Sequence, residues 1–325
     1  MSITPAVRSF FTKQLLQWHF EDNNRELPWK NEKDPYKIWL SEIILQQTRA
    51  EQGRPYYESF IRHYPDVHSL AHAPEVEVFR LWQGLGYYNR CRNLLAAARN
   101  ISQEYNGSFP DTYDRILALK GVGSYTAAAI ASFAFGLPYA VLDGNVYRVL
   151  SRYLGIDTPI DSTEGKALFQ QLATQLLDAE QPAAFNQAIM DFGSSVCSPK
   201  APACGTCVLS AKCVAYKHDM VTLLPVKGKK IKVKERHLHY FVLEHGDEVY
   251  LQQRTNKDIW QNLYEFFLIE AEEPYATTDA WKKLLPNVTS LSETVFSNRQ
   301  RLTHQLVSSD FHLVRLKTKP THLQQ

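Results

Sequence analysis

The chain has little cysteine, little net charge and no long apolar run, and each shortage excludes something. Five cysteines in 325 residues are too few for the disulfide-dense frameworks of small secreted domains. Residues 1–16 lack the apolar core of a signal peptide. No stretch approaches the ~20 apolar residues that span a bilayer, so no membrane partner is expected, and a cytoplasmic setting suits the isolated Cys91. A formal charge of +2 is too small to argue nucleic-acid binding by itself. Internal repeats and low-complexity tracts are missing too. At this length the expectation is two domains, each large enough to bury a core.

The cysteine that is there is concentrated. Cys197, Cys204, Cys207 and Cys213 follow the spacing C-x6-C-x2-C-x5-C behind a long helical region. Four thiolates in one loop make a ligand set for one metal centre, and a tetrahedral thiolate site selects zinc or an iron–sulfur cluster. A zinc ribbon usually offers two separated C-x2-C knuckles. With one close pair, a cubane cluster held by one loop fits better, and a pair of disulfides is the plain alternative. Charge is concentrated as well: between Lys227 and Arg236 six basic residues face a single acid, Glu235. That is either a solvated linker or one that also lies along phosphates.

The chain changes character at this basic stretch. Before it, helical patterning covers 6–20, 35–62, 75–82, 89–105, 112–118, 124–135, 144–154, 163–178 and 182–192, with Pro, Gly and Asp between. After it, Leu238–Leu243 and Val249–Gln253 alternate as strands around the turn Gly246-Asp247. Further strands are expected at Leu263–Ile269 and Phe311–Leu316, with a short helix over 277–285. The division predicted is an all-α region over 1–220, a basic linker over 221–236 and a smaller α+β domain over 237–325.

Two carboxyls and one turn could carry chemistry. Glu42 lies in Tyr36-Lys-Ile-Trp-Leu-Ser-Glu42-Ile-Ile-Leu-Gln-Gln-Thr48, which is apolar nearly all round and so reads as a buried helix. A carboxyl there loses solvation, its pKa rises, and it becomes a general acid. The other reading is a partly exposed glutamate paired with Lys37 or Arg49. Asp143 ends the apolar, strand-like run Ala140-Val-Leu and begins a helix. It is an N-cap by type, and the N–H bonds it accepts are expected to keep it ionised. One neutral and one charged carboxyl are what acid-assisted cleavage of a glycosidic bond requires. In Leu119-Lys-Gly121-Val-Gly123-Ser-Tyr125, a tight turn precedes a small-residue helix. Its N–H groups could take a phosphate oxygen, or it is a plain helix–helix turn.

The cysteine spacing, the Leu-x-Gly-Val-Gly turn and the Asp twenty residues on together resemble the helix-hairpin-helix base-excision DNA glycosylases of the endonuclease III superfamily. Within it the chain resembles the MutY-type adenine glycosylases. The runs that carry this are Arg25-Glu-Leu-Pro-Trp29, Ser41-Glu-Ile-Ile-Leu-Gln-Gln-Thr48, Gln83-Gly-Leu-Gly-Tyr-Tyr88 and Leu142-Asp-Gly-Asn-Val146. Residues 5–225 are covered closely and the remainder more loosely.

The resemblance implies a mechanism. Adenine, mispaired with 8-oxoguanine or guanine, leaves the stack of double-stranded DNA. Arg25 and Trp29 bind it, Trp29 packing on its face. Glu42 protonates N7, Asp143 stabilises the cationic sugar, and Tyr125 and Asn145 position Asp143 and the sugar. Gly121 and Gly123 hold the backbone, while Gln47, Leu85 and Tyr87 wedge into the duplex and meet the opposite base. Lyase members carry lysine where this chain has Tyr125, so a monofunctional hydrolase is implied. Thymine or uracil mismatch glycosylases, and a non-catalytic iron–sulfur DNA-binding protein, are the alternatives. One 4Fe-4S cluster on Cys197, Cys204, Cys207 and Cys213 is implied, shaping a loop that offers Lys200 and Lys212 to phosphates. The implied setting is a monomer on the nucleoid in a bacterial cytoplasm.

The C-terminal part resembles a Nudix fold through Val249–Arg254 and Ile259–Phe267, without the glutamate-rich box that holds magnesium. In MutY-type enzymes this domain reads 8-oxoguanine through a Phe-Ser-His turn. Here Leu302-Thr303-His304 stands in that place, so contact through Thr303 is expected.

Overall fold

The computed structural model describes residues 3–228, 233–271, 288–302 and 304–318 (288–295 by backbone only). The chain divides into two units, Met1–Lys229 and Lys230–Gln325.

The first unit is helical. It runs through α1 (Pro5–Glu21), α2 (Pro35–Leu45), α3 (Ala50–His63), α4 (Val67–His72), α5 (Glu75–Trp82) and α6 (Tyr88–Glu104). It continues through α7 (Tyr113–Leu117), α8 (Ser124–Phe135), α9 (Gly144–Leu154), α10 (Thr163–Leu176), α11 (Pro182–Ser195) and the short α12 (Val214–Lys217). Proline at the first position starts α1, α2 and α11, where its missing N–H costs nothing. The side chains of Thr4, Asp34, Asp143 and Ser162 cap α1, α2, α9 and α10. Two cores result. One gathers α2–α6 around Trp39, Phe60 and Trp82; the other gathers α1, α9, α10 and α11 around Phe11, Phe169 and Phe192. The alanine-rich α8 contributes to both, its small side chains letting α2 and α11 approach.

Two expectations change here. The predicted helix over 35–62 is two helices. Arg90, 9 % exposed, sends Nη1 to the carbonyls of Ile43, Ile44 and Gln46 at 3.1, 2.8 and 2.5 Å, taking acceptors that a continuing helix needs. Residue 47 then turns through a left-handed conformation, φ 56°. Among the described residues the strand-like run before Asp143 has no partner strand. Instead Asn186 on α11, 1 % exposed, accepts from Val141 N and donates to Tyr139 O at 3.1 and 2.8 Å, one side chain replacing a ladder.

The expected linker is shorter than 221–236. Val226 O accepts from Ile160 N, and Gly228 N donates to Asp161, so 226–228 lie on the helical unit. Residues from Lys234 on are strand. Arg236 does not face phosphates: it is 8 % exposed and paired with Glu270 and Asp258.

The second unit holds a five-stranded sheet. β1 (Lys234–His245) is central, with β7 (Gln305–Leu316) parallel on one side and β6 (Val288–Arg301) antiparallel beyond it. On its other side β1 pairs with β2 (Glu248–Val249) and, through Phe241↔Phe267, with β5 (Phe267–Ala271). β3 (Gln252–Gln253) and β4 (Tyr264–Glu265) form a separate pair. Phe241, Leu243, Val314 and Leu316 make its core. β6 had no counterpart in the sequence reading. The expected helix over 277–285 and residue Thr303 lie outside the described residues.

Candidate active site

α2 delivers Glu42 into the helical unit at 8 % exposure. Among the described residues no cation is paired with it: Lys37, one of the two partners proposed for an exposed glutamate, pairs with Glu32. Burial therefore pushes the Glu42 carboxyl up to about 7, with the nearby Asp143 adding to the rise and a hydrogen bond from Tyr125 opposing it. Tyr125, in the first turn of α8, is itself held well above its usual value by burial and by both carboxylates. It stays a neutral phenol, with its hydroxyl also 3.4 Å from Met190 Sδ.

Asp143 is differently surrounded. Oδ1 accepts from the N–H groups of Asn145 and Val146 at 2.9 and 2.8 Å, and Oδ2 accepts from Asn145 Nδ2 at 2.8 Å. These bonds and Arg148 lower its pKa, yet burial outweighs them and the net direction is upward. The N-cap role is as expected, but the bonds alone do not set the charge state. Asn145 is fixed in turn by Arg148, whose Nη2 donates to Asn145 Oδ1 and Gly193 O and whose Nε donates to Cys197 O at 2.7 Å.

Glu42 opens on a cavity of about 150 Å³ walled by Trp29, Ile38, Ser41, Phe133 and Gln187. Trp29 stands edge-on to Tyr57, which fixes its plane. Arg25 is not in this wall. Its Nη1 is 2.8 Å from Asp191 Oδ1, a carboxylate with 0 % exposure, and Asn23 and Lys30 reach the same carboxylate. Arg25 thus anchors the segment that carries Trp29.

Gly121 has φ +78°, and a Cβ there would meet Asn93 Cβ at 2.7 Å, so the turn requires glycine. Gly123, in contrast, is extended with open space around it. Among the described residues the N–H groups of Gly121, Gly123 and Ser124 have no partner.

Of the three wedge candidates, Gln47 and Tyr87 are exposed, each with positive φ, 56° and 52°. Leu85 is 5 % exposed within the first core, so it supports its turn from beneath instead of projecting. Arg90 joins the two turns, reaching Gln46 O on one side and Leu85 O and Gly86 O on the other. The sequence reading missed it; nothing marks an arginine as buried in an amphipathic helix.

Cys197, Cys204, Cys207 and Cys213 line one hollow with Arg152, and none is in a disulfide. No three His, Cys, Asp or Glu side chains among the described residues converge as the ligands of one ion must. Burial raises the Cys207 thiol to about 11 and also raises Cys204 and Cys213. Arg152 braces the loop through Ser198 O and Pro199 O. Lys212 lies over the Phe10 ring at 4.4 Å.

Residues 40–175 match the HhH-GPD superfamily of base excision DNA repair proteins. The adenine DNA glycosylase of Buchnera aphidicola from Schizaphis graminum is 35 % identical over 79 % of this chain and 74 % of its own. The adenine DNA glycosylase of Homo sapiens is 40 % identical over 63 % of this chain and 39 % of its own. Among solved structures, a thermostable thymine-DNA glycosylase superposes with a TM-score of 0.60 at 31 % identity, over 65 % of this chain and 97 % of that one. An endonuclease III in a non-covalent DNA complex superposes with a TM-score of 0.57 at 22 % identity, over 67 % of this chain and 99 % of that one.

Proposed function

The chain belongs to the adenine DNA glycosylase family of the HhH-GPD superfamily, hydrolases of N-glycosyl bonds in base excision repair, and we propose how its own residues remove adenine. The observation that carries the reading is the contrast between two neighbouring carboxyls. Glu42 has burial without a cation or backbone donor, while Asp143 has three N–H bonds.

In this reading adenine mispaired with 8-oxoguanine or guanine is extruded from duplex DNA into the cavity beside Trp29. Glu42, with a pKa of about 7, is protonated in a sizeable fraction of molecules at neutrality and delivers that proton to N7. As the glycosidic bond lengthens, positive charge grows on the sugar, and Asp143 stabilises it. Asn145 and Tyr125 hold Asp143 and Glu42 in place. Water adds to the sugar and leaves an abasic site. Tyr125 lacks a nucleophilic amine, so the strand is not cut. Gly121 and Gly123 offer free N–H groups to a backbone phosphate, and Gln47 and Tyr87 enter the duplex.

Cys197, Cys204, Cys207 and Cys213 would hold one 4Fe-4S cluster. Four thiols round one hollow are the donor set that such a cluster takes. When bound, the cluster supplies iron charge that stabilises thiolates against burial and ties the loop; it takes no part in the hydrolysis. The sheet of the second unit is read as a Nudix-like domain that recognises 8-oxoguanine, with Thr303 the contact. The protein works as a monomer on the nucleoid of a bacterial cytoplasm.

The likeness to a thymine-DNA glycosylase favours a second reading, a thymine or uracil mismatch glycosylase. That likeness covers 65 % of the chain, whereas an adenine DNA glycosylase of Buchnera aphidicola from Acyrthosiphon pisum matches 95 %. Single-turnover cleavage of duplexes holding adenine or thymine opposite 8-oxoguanine or guanine tests both. Breakage at adenine only after alkali, abolished by Glu42→Gln, supports the first reading. Breakage at thymine, or full activity of Glu42→Gln, overturns it.

A further inference from the structure

His19 stands at the end of α1, half-buried, in the wall of the cavity that holds Glu42 and Trp29. Its Nδ1 is 3.1 Å from Asn23 Nδ2. The orientation of that amide is fixed from two sides. Asn23 Oδ1 accepts from Arg25 N at 3.2 Å, and Asn23 Nδ2 donates to the buried Asp191 Oδ2 at 2.9 Å. A carboxylate can only accept, so the atom facing His19 is the N–H₂ group. Nδ1 must then be the bare, accepting nitrogen, and the proton of the neutral ring sits on Nε2. Burial and the Lys30 ammonium also favour the neutral ring, although Asp191 opposes them. Among the described residues Nε2–H has no partner.

A donor of fixed tautomer, left unpaired in the wall of a base-sized cavity, is built to meet an acceptor. We infer that His19 is a base-contacting residue, donating from Nε2 to an acceptor nitrogen in the six-membered ring of the extruded purine. Adenine carries two such nitrogens, N1 and N3, both bare. Guanine carries a hydrogen on N1, so a donor facing that edge discriminates against it. Asp191 and Asn23 are positioning residues, setting the tautomer without touching the base. The inference rests on the reading that adenine enters this cavity, and Glu42 remains the acid at N7.

The test is a coupling experiment under single-turnover conditions. Wild type, His19→Phe and His19→Gln are compared on duplexes carrying adenine, 1-deazaadenine or 3-deazaadenine at the target position. Loss of one hydrogen bond predicts a drop of about tenfold for His19→Phe on adenine. His19→Gln, which keeps an N–H donor, recovers part of that drop. On the analogue lacking the contacted nitrogen, His19→Phe costs nothing further relative to wild type; which analogue behaves so names the atom. Thermal melting and binding of uncleavable duplex confirm that the variants are folded. Equal rates for wild type and His19→Phe on adenine, or equal losses on all three bases, overturn the role of His19. Wild type forming no abasic site at adenine overturns the proposed function itself, so the two failures are distinct.

Discussion

Asn145 Nδ2 donates to Asp143 Oδ2 at 2.8 Å, and Asn145 is held by Arg148, whose Nε reaches the carbonyl of Cys197 at 2.7 Å. The carboxylate assigned to the sugar is therefore fixed through two side chains to the loop of four cysteines. Replacing Asn145 with Ala removes a side-chain donor to Oδ2. Asp143 then loses a bond that favours its charged form, and its pKa rises further from the already raised position. The expected result is a slower glycosidic step, by roughly 10–100-fold for a lost charge-assisted bond. The acid limb of the pH–rate profile moves to higher pH. An unchanged limb, measured by single-turnover kinetics, would count against the role.

Glu42 should govern the alkaline limb. With its pKa at about 7, the fraction of enzyme carrying the proton falls as pH rises past neutrality, and the rate falls with it. Glu42→Gln should lose at least ~100-fold in rate, together with that limb.

The same shift makes a stability prediction. The folded pKa of about 7 lies above the ordinary glutamate value of 4.5, so the folded state binds more protons than the unfolded one in that window. Stability is then greatest at the acid end and is lost as pH rises through it. By linkage the loss approaches roughly 3 kcal/mol above neutrality. Urea unfolding at pH 5 and pH 8 should show wild type losing stability relative to Glu42→Gln; parallel curves would refute it.

Tyr125→Phe removes the hydrogen bond that lowers the Glu42 pKa. The alkaline limb should shift upward, the reverse of what simple damage to the site produces. The pH–rate profile of the variant checks this.

Arg90→Met keeps bulk but strips partners from the carbonyls of Ile43, Ile44 and Gln46. Left unpaired in a buried turn, these should cost roughly 2–4 kcal/mol, read as a lower urea midpoint. Binding of mispaired duplex should weaken too, because Gln47 and Tyr87 lose the bracket between their turns.

Cys207→Ser should lower bound iron and the melting temperature of the purified protein together, while Cys91→Ser, outside the hollow, leaves iron unchanged. Full iron in Cys207→Ser, by metal analysis and visible absorbance, would exclude the cluster.

Much of the site is written locally. Tyr36–Leu45 is apolar nearly all round, so a buried Glu42 is one of two readings of the string, and the fold selects it. Asp143 before Gly144 makes an N-cap in any context, and the left-handed turn at Gly121 needs a residue without Cβ. The spacing of the four cysteines already marks them as one candidate ligand set. Other features exist only once distant segments meet. The charge state of Asp143 is a contest between local N–H bonds and burial in the fold, and the sequence carries only the first. Leu85 looks like a wedge in its own run, but packing turns it inward. The break after Leu45 depends on Arg90, and the tautomer of His19 depends on Asp191, more than 170 residues away. Caps, turns and apolar periodicity act within a few residues and can be read from the chain. Desolvation and side-chain bonds to remote backbone depend on which surfaces come together, and only the tertiary structure decides that.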